Sequence, residues 1–212
     1  MRSVTPKRGT PTAKLYGCNG SGEQAEIDGV TVWLKGESPT YDWNDRANSP
    51  YKERAAYLVD RMLNLKLVPP TVLLLFDGKV VSAQRWVNGN RPSYAEPAII
   101  VVFDYIIANS DRHDENWLIE NGKVWAIDNA YSFILTDYFN TATELRRLRY
   151  SINDLSAEDK AKLVARLELV LAKPRRNIHR RFDYLIGKKR TEGLINRMAT
   201  VLDILKEDSA NV

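Results

Sequence analysis

Three times in this chain an acid or amide is followed by glycine between two short apolar runs: Asp28-Gly29, Asp77-Gly78 and Asn121-Gly122. Such pairs readily take the two positive-φ positions of the tightest antiparallel turn, so each marks a β-hairpin. The flanking runs agree. "VTVWLK" follows the first pair, "TVLLLF" and "KVVSAQRWV" enclose the second, and "NWLIE" and "KVWAID" enclose the third. The chain therefore has to carry at least three local strand pairs, and the helices must be arranged around them.

Helical patterns fill the remaining apolar segments. In "SPYKERAAYLVDRMLNLKL", Ser49 can cap, Pro50 suits the first helical position, and Ala55, Leu58, Val59, Met62 and Leu63 recur at helical spacing. Pro69-Pro70 ends that region. A mostly apolar helix is expected from about Pro97 to Asn109. Ser156 with Asp159 three residues on, ahead of "AKLVARLELVLAK", is close to a capping box, and a last amphipathic helix is expected over about 192–206. The first ninety residues thus read as strands with one helix and the last hundred as mainly helical, which predicts an α+β protein of two lobes around a cleft. The expected division is a flexible segment 1–14, a strand-rich lobe 15–90 and a helical lobe 91–212. No internal repeat is seen.

Composition narrows the setting. No apolar run approaches the roughly 20 residues of a membrane span, and "MRSVTPKRGTPTAK" lacks the apolar core of a signal peptide. Cys18 is the single cysteine, so neither an internal disulfide nor a cysteine metal cluster can form. A cytoplasmic protein is the expectation. Residues 141–190 hold fourteen Lys/Arg against six Asp/Glu within a chain of net charge +4. The excess is densest in "KPRRNIHRRFDYLIGKKR", where Phe182 and Tyr184 are interleaved. A solvated helical face is the simpler account, and an anionic partner such as nucleic acid or phospholipid is the functional one.

The densest polar stretch is "SDRHDENWL", residues 110–118, between the apolar helix and the third hairpin. A hairpin linking Asn116 to Asp128 brings its ends together, so an amide oxygen and a carboxylate converge beside Asp111. Hard oxygen ligands of this kind suit magnesium, which keeps water and phosphate in the rest of its shell. Gly17, Gly20 and Gly22 permit close backbone approach to phosphates. Lys35, at the end of "VTVWLK", can neutralise phosphate charge, and Glu53, in the first turns of the next helix, can hold the lysine. These are the parts of phosphoryl transfer, which depends on positioning and charge neutralisation. Asp111 would accept a hydroxyl proton or orient the nucleophile. Each residue also has a plainer role: a solvated lysine, a first-turn acid, a turn-stabilising aspartate. With only His179 as a second imidazole, His113 is expected to brace the loop with Arg112, not to bind metal. Strand tryptophans are expected to be core residues.

"DRHDEN" followed by "WAID" resembles the catalytic and metal loops of atypical kinases: the HipA-like toxin kinases, the phosphatidylinositol 3-/4-kinase-related group and the Golgi secretory-pathway kinases. The triplet His-Arg-Asp of ordinary protein kinases is reversed, and Asn116 still stands five residues after Asp111. "ERAAYLVDRMLNLKLVPPTVLL" is similar to their lobe helix and following strand, and "SAQRWVNG" falls where the hinge between lobes would lie. The resemblance covers roughly residues 15–135. It implies a two-lobed kinase-like fold, ATP and Mg2+ as cofactors, Lys35 as the ATP-phosphate lysine and Glu53 as its ion-pair partner. It further implies Asp111 as the catalytic aspartate, Asn116 and Asp128 as metal ligands, and Gln84 through Val87, with Trp86 among them, against the adenine. Asp128-Asn129-Ala130 stands where Asp-Phe-Gly is usual. The expected activity is phosphoryl transfer to a hydroxyl, a protein Ser/Thr first and a lipid or small molecule next. The alternatives are a pseudokinase scaffold docking a partner through the basic half, and AMP transfer by the same fold.

Overall fold

The computed structural model describes residues 22–36, 50–91, 95–135, 139 and 142–210. The expectations for segment 1–14, Gly17, Cys18, Gly20 and the Ser49 cap lie outside the described residues.

Strands β1 (Gly22–Ile27), β2 (Val30–Lys35), β3 (Thr71–Phe76) and β4 (Lys79–Arg85) form one antiparallel sheet in the order β1-β2-β4-β3. Strands β5 (Trp117–Glu120) and β6 (Lys123–Ala126) form a separate hairpin. All three sequence-marked turns close their hairpins, and both residues of each have positive φ, for example 47° and 76° at Asp77 and Gly78. That is the mirror-image turn favoured by strand twist.

Six helices are described: α1 (Pro50–Leu63), α2 (Ala98–Ile107), α3 (Ala142–Asp154), α4 (Ala157–Leu171), α5 (Arg175–Ile186) and α6 (Lys188–Ala210). Ser156 caps α4, its hydroxyl accepting from Asp159 N–H at 3.1 Å. The last helix is longer than the amphipathic pattern indicates, because Gly187 (φ 82°) breaks the chain and the basic run after it starts the new helix. α2 ends where Ala108 turns left-handed, its N–H bonding back to Tyr105 and Asp104.

The apolar residues divide unequally. A small cluster of Val32, Leu34, Val81 and Ala83 lines one face of the four-stranded sheet. The large core joins α1 and α2 to the C-terminal helices, with Ala55, Ala56, Val59, Phe103, Ile106, Leu163, Phe182 and Met198 fully or almost fully buried. α1 is the middle layer: it packs on β3 and β4 on one side and on α4 and α5 on the other. Of its expected apolar face, Leu58 and Met62 are only partly buried, while the polar Lys52, Glu53 and Asp60 are buried. The helix therefore carries charges inward, and one of them belongs to the cleft.

Candidate active site

Strand parity decides which β2 side chains enter the cleft. Val32 and Leu34 point to the small apolar cluster, so Trp33 and Lys35 point the other way. Lys35 is 8% exposed. Its Nζ forms an ion pair with the Asp128 carboxylate and stands 3.5 Å from Glu53 Oε1. Residues 93 positions apart in the chain are thereby joined by direct contact. Burial alone would lower the Lys35 pKa, but the Glu53 and Asp128 carboxylates outweigh it and hold it above the ordinary lysine value. Burial likewise pushes the Glu53 carboxyl above its usual range, against the pull of Lys35. Glu53 Oε2 also accepts the backbone N–H of Asn129 at 3.1 Å, so α1 is tied to the segment that follows β6.

The loop after α2 is built around Arg112. Its Nε and Nη2 donate to the two Asp104 oxygens at 2.9 Å each. Nη1 donates to the carbonyls of Asn116 and Ile127, and Nη2 reaches Asn129 Oδ1 at 2.7 Å. One buried guanidinium thus binds α2, the polar loop and both ends of the β5–β6 hairpin. Ile127 N–H donates to Asn116 O at 3.0 Å, which closes the hairpin base and sets Asn116 beside the Asp128 segment. Asn116 Nδ2 donates to Asp111 O at 2.7 Å and lies 3.0 Å from His113 Nε2. Its amide nitrogen is thereby occupied, and its oxygen is the atom left for a ligand. Asp111 N–H donates to Asn109 Oδ1 at 3.1 Å, and the Asp111 carboxylate accepts no hydrogen bond within the described residues. Asp128 has φ 51° and a side chain 39% exposed, which offers a carboxylate to solvent and to Lys35 together.

The remaining expected residues fall into place unevenly. Gln84 is buried and its Nε2 donates to Thr71 Oγ1 at 2.9 Å, so its amide is engaged within the sheet. Val87 is buried and Trp86 is 37% exposed. Gly22 begins β1 opposite Lys35. Trp117 and Trp125 are core residues as expected, but Trp33 is only half-buried and contacts Trp86. The core expectation fails for Trp33 because its strand position faces the cleft.

Asp104 and Asn129 were not anticipated. Asp104 is the single charge in "AIIVVFDYII", and a lone charge in so apolar a helix signals a buried partner. Asn129, where phenylalanine is usual, is fully buried: it accepts from Arg112, and its carbonyl accepts from Ser132 Oγ at 2.6 Å. The departure from Asp-Phe-Gly is thus a polar bolt holding the loop. Among the described residues no three His, Cys, Asp or Glu side chains gather as a self-sufficient metal cage. A cation here would use the Asn116 and Asp128 oxygens and draw its other ligands from water and phosphate, the habit of magnesium.

A small antiparallel sheet, a helix bearing a glutamate to its strand lysine, and a helical half carrying an Asp/Asn loop and a following aspartate define a kinase. Residues 31–164 match the model of the phosphatidylinositol 3- and 4-kinase family, and the chain belongs to that family. No curated protein sequence matches it. Among solved structures, it is similar to the Golgi casein kinase at 14% identity and a TM-score of 0.66, covering 99% of this chain and 76% of that one. A second structure of that kinase, with Mn/ADP bound, gives 13% identity and a TM-score of 0.59 over 89% and 71% of the two chains. The Helicobacter pylori proinflammatory kinase CtkA gives 12% identity and a TM-score of 0.52 over 98% of both. These are likenesses of fold. No helix among the described residues is long and apolar enough to cross a membrane.

Proposed function

We propose that the protein transfers the terminal phosphoryl group of ATP, held with Mg2+, to a hydroxyl acceptor in the cleft between the β1–β4 sheet and the β5–β6 hairpin. The observation that carries this reading is the convergence of Lys35, Glu53 and Asp128, one from each of three separated elements. Lys35 neutralises phosphate charge and Glu53 fixes it. Asn116 and Asp128 hold the divalent ion, which supplies charge neutralisation on the phosphates. Asp111, its carboxylate free of protein partners among the described residues, orients the acceptor hydroxyl and takes its proton. The segment 84–92 serves as the hinge, with Trp86 and Val87 beside the base. Mn/ADP in the similar Golgi casein kinase supports a nucleotide and a divalent ion here.

The fold likeness to that kinase favours a protein Ser/Thr hydroxyl as acceptor, and the family match makes a lipid hydroxyl the close variant. A radiolabelled-phosphate assay with protein acceptors and with phosphatidylinositol vesicles separates the two. Asp111→Asn and Asp128→Asn are each expected to reduce turnover by at least about 100-fold, the usual scale for losing positioned acid–base or electrostatic groups. Both variants retaining wild-type turnover would end this assignment. The scaffold reading predicts nucleotide binding with no transfer to any acceptor, and AMP transfer is separated by product mass.

The C-terminal half also supports an anionic partner. Lys173, Arg176, Arg180 and Arg181 are exposed on or beside α5, which buries Ile178, Phe182 and Leu185.

A further inference from the structure

Trp33 stands two residues before the site lysine on the same strand. Protein kinases carry Val-Ala-Ile-Lys on the corresponding strand; here it reads Val32-Trp33-Leu34-Lys35. An indole replaces a methyl group on the face that looks into the cleft. Parity fixes that direction, since Trp33 is paired with Gln84 and Lys35 with Ser82, while Val32 and Leu34 occupy the apolar cluster opposite.

The surroundings are arranged for the ring. A Cβ at Gly22 would overlap the five-membered and six-membered edges of the Trp33 indole, so the glycine that opens β1 clears the space in which the ring lies. Gly22 is paired across the ladder with Lys35, which places the indole directly beside the phosphate lysine. On its other side Trp33 meets Trp86, with centroids 5.8 Å apart and planes inclined at 40°. Trp86 follows β4, its N–H donating to Thr31 O at 2.9 Å, and it is 37% exposed. Two large aromatic groups are thus held by backbone pairing at the cleft mouth without being taken into the core, an expensive way to place an indole unless a flat ligand covers it.

We propose that Trp33, braced by Trp86 and given room by Gly22, is the stacking surface for the nucleotide base. This rests on the nucleotide reading above and adds to it the residue that binds the base. Stacking on a π-face tolerates any base and is worth about 1–3 kcal/mol by alanine substitution. The base would be gripped from above by an aromatic plane, where a V-A-I-K strand offers only a methyl.

The test separates base from phosphate. Binding of ADP and of inorganic pyrophosphate, each with Mg2+, is measured by calorimetry on the full chain and on Trp33→Ala, Trp33→Phe and Gly22→Ala. Trp33→Ala is expected to weaken ADP by about 5- to 150-fold, the conversion of that stacking energy, and to leave pyrophosphate unchanged. Trp33→Phe keeps most of the ADP affinity. Gly22→Ala displaces the indole and so loses ADP but not pyrophosphate, whereas a glycine in direct phosphate contact would lose both. In turnover, KM for ATP rises while kcat is held. Unchanged or tighter ADP binding by Trp33→Ala, the second being the mark of an indole that obstructs the base, overturns the proposal while leaving the kinase reading intact. A wild-type protein that binds neither ADP nor pyrophosphate overturns both.

Discussion

At the scale of single residues the site depends on Arg112 more than on any group that would touch substrate. Its side chain is 1% exposed and that of Asp104 is 3%. Two charges so placed lose most of their hydration, and the pair is sustained only because every remaining donor finds a carbonyl or amide oxygen. Five acceptor contacts on Asp104, Asn116, Ile127 and Asn129 exceed what a lysine ammonium with three donors can make. Arg112→Met leaves Asp104 buried without a counter-charge, with only the Asn109 amide donating to it at 3.3 Å, and is expected to cost about 3–5 kcal/mol of stability. Asp104→Leu combined with Arg112→Met removes the stranded charge and should be the more stable of the two variants. Urea unfolding checks the order; a double variant no better than the single one would show that the carboxylate is not the source of the loss. The brace role of Arg112 was legible from its place beside Asp111. Its partners were not, since pairing between Asp104 on one helix and Asn129 beyond a hairpin is a long-range fact that no local pattern carries.

Among the elements, the hairpins were the most legible because a turn's chemistry is written in two adjacent residues. The apolar α2 and the Ser156 cap were legible for the same local reason. α1 was read correctly as a helix and incompletely as a surface. Periodicity finds its apolar stripe, but a helix covered on two sides also buries residues off that stripe, among them Asp60. Asp60 Oδ1 accepts Leu67 N–H at 2.8 Å, and Oδ2 is buried without a partner. Through Leu67, whose carbonyl accepts Ala126 N–H at 2.9 Å, the end of α1 is joined to β6. Burial outweighs the backbone donors and pushes the Asp60 carboxyl up to about 6, from an ordinary 3.8. A carboxyl whose folded pKa is raised binds its proton more tightly in the native state. Its ionised form therefore costs stability above pH 6, by roughly 3 kcal/mol at most, and the cost fades as pH falls from 6 towards 3.8. Asp60→Asn is expected to raise Tm at pH 8, to keep about half of that advantage near pH 5 and to lose the rest below pH 3.8. A Tm difference that does not change between pH 8 and pH 5 would place the Asp60 carboxyl at its ordinary pKa.

Across the whole molecule charge is segregated, and the segregation is structural as well as sequential. Segment 141–190 holds the surplus of Lys and Arg, yet several of its cations are already committed: Arg147 to Glu96, Arg149 to Glu207, Lys160 to Asp208 and Arg175 to Glu192. These pairs tie α3, α4 and α5 to other parts of the chain, so the composition alone overstates the free positive surface. Arg176, Arg180 and Arg181 are different: they are exposed, and none has an ion-pair partner among the described residues. Tyr184, 69% exposed, stands one turn further along the same helix, an amphipathic side chain of the kind that settles at a membrane interface. Basic residues near an anionic leaflet contribute about 1 kcal/mol each and act over a Debye length. Co-sedimentation with vesicles containing anionic phospholipid is therefore expected, weakening steeply between low and physiological salt and absent with neutral vesicles. Replacing Arg176, Arg180 and Arg181 together by Gln should lower the vesicle affinity by about two decades on that scale. The same triple variant should leave ADP affinity unchanged, because these side chains are exposed on α5 and take no part in the Lys35–Glu53–Asp128 contacts. Vesicle binding that survives the triple substitution would move the anionic contact off this helix.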